Sequence, residues 1–157
     1  MSTALAKGRL QVCILVKDLE DAMKRYSDLL GIEKYSVYVV DTRELPGVTY
    51  RGKPADYRVT VAIANVDTWQ IELMMPERGE SIYHEVLDRQ GEGIHHLGFI
   101  VNQHYDAAVS DLAARGFQHT QGGPIVGTDR TGRFDYFDSK DHPGIILEVL
   151  DIPTLPS

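Results

Sequence analysis

An internal repeat restricts this chain to few architectures. QVCILVKDLEDAMKRYSDLLGI, starting at Gln11, can be set above HLGFIVNQHYDAAVSDLAARGF, starting at His96. Each copy opens with an apolar run, ending at Val16 and at Val101, and each reaches a glycine 20 positions after its start, Gly31 and Gly116. Self-similarity of this kind marks a duplicated supersecondary unit. Between run and glycine, Leu19, Ala22, Met23, Tyr26, Leu29 and Leu30 recur at helical spacing, with Asp18 as N-cap and Gly31 as C-cap. Tyr105, Ala108, Val109 and Leu112 repeat that pattern before Gly116. Strand-like runs follow each helix: YSVYVV, YRVTVAIANV and WQIELMM in the first half, and the weaker FQHT, RFDYFD and GIILEVLD in the second. Each half therefore reads strand, helix, strand, strand, strand.

The fold class this predicts is α+β, with two βαβββ modules packed side by side in an open, curved mixed sheet. The first module spans residues 8–76 and the second 93–153. RGESIYHEVLDRQGEG, across the 77–92 linker and into Gly93, predicts a short helix with Ile82, Val86 and Leu87 on its apolar side. At 157 residues and 43% hydrophobic, the chain can bury enough apolar surface to fold unaided as one compact unit. Two stretches read as irregular: a mobile loop from Gly122 to Arg133, and the long connection DTRELPGVTYRGKPAD, of a length that usually serves function.

A net charge of −7 and a pI near 5.3 argue against nucleic acid or an anionic membrane as partner, since both attract basic surfaces. A small solute is the more natural ligand. No segment approaches the roughly 20 apolar residues needed to span a bilayer, so a soluble, cytoplasmic protein is expected. The single cysteine, Cys13, lies in the apolar run QVCILV and reads as a buried structural thiol.

The repeat equates Gln11 with His96, each opening the first strand of its copy, and Glu72 with Glu148, each in a last strand shortly before a proline. A glutamate in an apolar strand is costly unless paired or bound to a cation, and here two occupy equivalent places. Gln11, Glu72, His96 and Glu148 are therefore candidate metal ligands: one imidazole nitrogen and three oxygens. Such a set suits a catalytic site with open positions for one divalent ion, Zn, Co, Ni, Mn, Fe or Mg, rather than a closed structural zinc site. His95, adjacent on an alternating strand, is expected to point away from the metal face and to support His96 from beneath.

These motifs, with the stretch from QIELMMP through GEGIHHLGF and the closing GIILEVLD, resemble the vicinal oxygen chelate superfamily, the glyoxalase, bleomycin-resistance and extradiol-dioxygenase group, over nearly the whole chain. The glutamate strand followed by a short helix and GEGIHHLGF is similar to methylmalonyl-CoA epimerases. The resemblance implies metal ligands at Gln11, Glu72, His96 and Glu148. Epimerases usually carry histidine where this chain has Gln11, whereas the Gln, Glu, His, Glu combination occurs in some glyoxalase I enzymes. By that second likeness Glu148 would also act as base. An epimerase-like second base would fall near Asp56, and Asp56 or Glu72 is the candidate partner of Glu148.

The function implied is a metal-dependent isomerase or lyase that removes a proton next to a carbonyl, epimerase-like in its most concrete form. Glyoxalase I chemistry, an extradiol dioxygenase and a non-catalytic resistance-type binder are the alternatives. The dioxygenase is disfavoured because Gln11 replaces one of its two usual histidines. The expected partner is a small carbonyl substrate, an acyl-CoA among the candidates, with Arg43, Arg51, Lys53 and Arg58 available to hold a phosphate- or carboxylate-bearing tail. Tyr50, Tyr57, Tyr83 and Tyr136 would equally suit a pocket for an aromatic ligand. The resemblance also implies a homodimer.

Overall fold

The computed structural model describes residues 3–156. In chain order the strands are β1 (Arg9–Leu15), β2 (Ser36–Asp41), β3 (Thr49–Tyr50), β4 (Lys53–Pro54), β5 (Tyr57–Val66), β6 (Trp69–Gly79), β7 (Gly93–Ile100), β8 (Gln118–Val126), β9 (Thr131–Asp138) and β10 (Leu147–Asp151). The α-helices are α1 (Leu19–Leu30), α2 (Ile82–Gln90) and α3 (Tyr105–Ala114). The strands form one curled, open mixed sheet in the order β2-β5-β6-β1-β7-β10-β9-β8-β3-β4. The two copies of the repeat are mirrored across a central seam where β1 runs antiparallel to β7. Flanking the seam, β6 pairs parallel with β1 and β10 parallel with β7.

Local chemistry explains the helices. The Asp18 side chain accepts from the Asp21 amide at 2.9 Å, and Gly31 ends α1 with a φ of 68°, a left-handed conformation that costs glycine little. Ser81 caps α2 by accepting from the amides of Tyr83 and His84. Alternation along the strands then sorts the sheet's two faces. Leu19 and Ala22 of α1 pack against Ala62, Ala64, Ile71 and Leu73 on one face of the first module. Tyr105, Ala108 and Leu112 of α3 pack against Phe137 and Val149 in the second. The opposite face of both modules turns inward and shares a third apolar cluster with Tyr83 and Val86 of the linking helix α2.

Two expectations are corrected. The stretch from Gly122 to Arg133 is not a loop: β8 runs through Val126 and β9 starts at Thr131, so only a tight turn separates them. Its glycines are there for close approach. A Cβ on Gly123 would stand 2.8 Å from Val48 Cα, and one on Gly122 would collide with Asp135. The connection after β2 is also more ordered than its composition suggests. It forms the β3–β4 hairpin, which crosses to the far edge of the sheet and pairs Thr49 with Gly122 and Tyr50 with Gln121. Strand β6 continues to Gly79, beyond residue 76.

Candidate functional site

Register puts the four candidate ligands in two adjacent rows across the seam. In one row Gln70 lies beside Gln11, Gln11 beside Gly98, Gly98 beside Glu148 and Glu148 beside Tyr136. In the next, Ile63 lies beside Glu72, Glu72 beside Cys13 and Cys13 beside His96. Gln11, Glu72, His96 and Glu148 are 2%, 7%, 2% and 3% exposed. His96 Nε2 stands 3.0 Å from Glu148 Oε2 and 3.6 Å from Glu72 Oε2. Yet Gln11 Oε1, Glu72 Oε2, His96 Nε2 and Glu148 Oε2 are each buried without a hydrogen-bond partner.

Four orphaned atoms, one from each of these residues, are costly in a folded protein unless something binds them. Two glutamates and a neutral imidazole nitrogen repel one another through their lone pairs, and a divalent cation converts that repulsion into coordination. Glu72, His96 and Glu148 bring ligand atoms within 4.8 Å of one another, which fits one ion. Burial, and then the nearby Glu148, push the Glu72 carboxyl up to about 7.

The neighbours orient this set. Gln11 Nε2 donates to Gln70 Oε1 at 2.7 Å, which turns Gln11 Oε1 toward the glutamates. His95 sits at a bulge: Cys13 pairs with His96 and Ile14 with Ile94, leaving His95 unpaired. The expectation that His95 points away is therefore wrong, because strict alternation fails at a bulge, and the two imidazoles meet Nδ1 to Nδ1 at 2.8 Å. His95 Nε2 lies 3.3 Å from the Ile82 carbonyl, which can only accept, so this nitrogen carries the proton. Burial lowers the His95 pKa and keeps the ring neutral, so its Nδ1 accepts from His96 Nδ1–H. His96 Nε2 is left with a bare lone pair aimed at the carboxylates. His95→Ala is expected to weaken divalent-metal binding by about 10–100-fold with the fold retained. Unchanged affinity in a Zn²⁺ competition titration would remove His95 from this role.

Gly98 was not singled out by sequence, because its requirement is steric and nonlocal. A Cβ there would stand 3.0 Å from Gln11 Oε1 and 3.1 Å from Glu148 Oε2. Gly98→Ala is therefore expected to fold yet bind metal measurably less tightly, as read by the same titration beside circular dichroism. Tyr136 lies over His96 with ring centroids 4.9 Å apart, and Tyr83 OH donates to Tyr136 OH at 3.0 Å.

Asp56 is not brought to the other four. It lies exposed at the start of β5, bound to Arg43 and Arg78, and those guanidiniums hold its carboxyl below the usual range. The arginines suggested for an anionic tail also have partners: Arg43 with Asp56, Arg51 with Glu85, and Arg58 with Glu77. Cys13 is fully buried, and burial followed by the charges of Glu72 and Glu148 holds its thiol protonated.

Above the two rows opens a cleft of about 950 Å³, reached by Gln11, Glu72, Glu148, Tyr83 and Tyr136. A curled sheet of two mirrored βαβββ units, with polar ligands gathered where the units meet and a cleft above them, defines the vicinal oxygen chelate class of protein. The chain's residues 10–137 match the family model described as the glyoxalase/bleomycin resistance protein/dioxygenase superfamily, and the chain belongs to that superfamily.

Among solved structures, the chain is similar to methylmalonyl-CoA epimerase from Mycobacterium tuberculosis, with 24% identity, a TM-score of 0.67, and coverage of 99% of this chain and 93% of that one. It is also similar to a hypothetical protein from Bacillus halodurans, with 20% identity, a TM-score of 0.60 and 94% coverage of both chains. A variant of the Streptomyces coelicolor methylmalonyl-CoA epimerase in complex with 2-nitronate-propionyl-CoA matches at 23% identity and a TM-score of 0.60, covering 93% of this chain and 96% of that one. These likenesses establish a shared fold. No curated protein matches the chain.

Proposed function

We propose that this protein is a divalent-metal-dependent enzyme that removes a proton from the carbon next to a carbonyl, as an epimerase, isomerase or lyase does. The observation that carries the reading is the set of four buried, unpartnered atoms on Gln11, Glu72, His96 and Glu148. These residues would hold one divalent ion, Zn, Co, Ni, Mn, Fe or Mg, whose Lewis acidity would stabilise charge developing on a substrate carbonyl oxygen. Glu148 receives the proton. It reaches the cleft, stands beside Gly98 where no side chain intervenes, and has its Oε2 free of hydrogen bonds. Glu72, on the other side of His96, is the second carboxylate of the set and the candidate partner of Glu148. His96 and Gln11 orient the site, and the apolar walls exclude water. A homodimer belongs to the same reading, with the exposed Val37 and Val39 on edge strand β2 as an apolar margin for a second chain.

The test is deuterium exchange at the α-carbon of acyl-CoA thioesters and hemithioacetals, followed by proton NMR with metal-loaded protein. Exchange that needs the metal and disappears in Glu148→Gln, which keeps an oxygen donor but not the base, is the expected result. Metal binding without exchange on either class or on a neutral hydroxyketone would instead favour a non-catalytic small-molecule binder on the same fold.

A further inference from the structure

The cleft above the four residues has walls with a definite chemical preference. Val59, Val61, Ile63, Met74, Phe134 and Leu150 supply an aliphatic and aromatic lining, and Tyr38, Tyr57, Tyr83 and Tyr136 add ring faces. Tyr57, Tyr83 and Tyr136 meet edge to face, with Tyr83 centroids 5.7 Å from Tyr57 and 5.6 Å from Tyr136. Such a frame of fixed rings favours a flat apolar body.

The charged groups lining the cleft, apart from Glu72 and Glu148, are Glu33, Asp41, Glu44 and Lys34. Lys34 is the one cation among the described lining residues; Asp41 is paired with Arg78 and Arg58, and the remaining rim carboxylates, Glu33 and Glu44, outnumber that lysine. The arginines around this end of the molecule are already committed: Arg78 to Asp41 at 2.8 Å, Arg58 to Glu77 at 2.6 Å, and Arg43 to Asp56 at 3.0 Å. A ligand with several phosphate charges needs free guanidinium or ammonium groups, or a helix N-terminus, to replace its hydration. An anionic rim repels it instead.

We propose that the ligand of this cleft is a neutral, hydrophobic carbonyl compound with an aromatic or alicyclic body, rather than a nucleotide-bearing acyl thioester. The placing of its carbonyl oxygen toward Gln11, Glu72, His96 and Glu148 rests on the reading of those residues as a metal site. The choice of a neutral ligand rests on the walls and the rim alone.

The experiment compares 2-hydroxyacetophenone with propionyl-CoA by calorimetry and saturation-transfer NMR, on metal-loaded and chelator-treated protein. The neutral ketone is expected to bind at least about tenfold more tightly than propionyl-CoA, and Ile63→Ala to weaken the ketone by about tenfold. Ile63 is only partly buried, so this variant keeps the fold; Tyr38→Ala, also on the wall, provides a second reading of the same loss. Propionyl-CoA binding as tightly as the ketone overturns the inference. Metal uptake with no ketone binding overturns it too, while leaving the metal-dependent reading intact. Ketone binding that both wall variants weaken, in protein that takes up no metal, upholds the neutral ligand and overturns the metal-dependent reading instead.

Discussion

His96→Ala is expected to abolish divalent-metal binding at micromolar metal and, with it, any metal-dependent proton exchange. Wild-type protein reconstituted with Zn²⁺, Co²⁺, Ni²⁺ or Mn²⁺ should carry about one ion per chain by elemental analysis, the ratio of a single-ion catalytic site. His96 supplies the imidazole nitrogen of the candidate set, and its Nε2 stands 3.0 Å from Glu148 and 3.6 Å from Glu72. Removing it leaves two buried carboxylates facing each other with no neutral donor between them, so the loss should exceed the about 10–100-fold expected when only a supporting residue is removed. Glu148→Ala should lose the metal as well. Metal retained at one ion per chain in both variants would place the site elsewhere and sink the proposed reaction.

Metal-free protein is expected to lose stability as the pH rises from about 4.5 to 7, opposite to the trend produced by an ion-paired carboxylate. The Glu72 carboxyl, at 4.5 ordinarily, is pushed up to about 7 in the folded state, first by burial and then by Glu148, with His96 opposing. Within that window the folded chain still holds a proton that the unfolded chain has released. Stability is therefore greatest below the unfolded value and falls until the folded carboxyl ionises. The size is about 3 kcal/mol by the usual free energy of a pKa shift. Glu72→Gln should flatten this part of the profile, so the metal-free variant gains on wild type at pH 8 and not at pH 4. Urea unfolding with a chelator present, at both pH values, measures the difference. A bound divalent ion should flatten the wild-type profile as well, because coordination holds the carboxylate ionised and releases its proton on binding. Equal pH dependence in wild type and Glu72→Gln would show that Glu72 ionises freely in the folded chain.

Much of this architecture was legible because it is written in local periodicity and in a repeat. Leu19, Ala22 and their successors announce α1, Asp18 and Gly31 mark its ends, and the glycine-terminated repeat from Gln11 and His96 predicts two βαβββ units. The repeat also paired Gln11 with His96 and Glu72 with Glu148, since duplicated units put equivalent residues at equivalent places. The glycine-rich stretch from Gly122 to Arg133 has the composition of a loop, yet Gly122 and Gly123 lie within β8 and answer to backbone and side chains far away in sequence, Val48 and Asp135, rather than to a local turn.

By itself, then, the sequence determined the modules, their helices and the residue types offered for chemistry, because these depend on spacing within a few turns or strands. Only the tertiary structure decided how the two halves meet. The antiparallel β1–β7 seam brings Gln11 and Glu148 together over Gly98, and a single bulge turns His95 toward His96. It also left Asp56 outside with Arg43 and Arg78, and occupied the arginines that might have met phosphate. Those outcomes follow from strand register and from pairings between residues distant in the chain, and no local pattern encodes them.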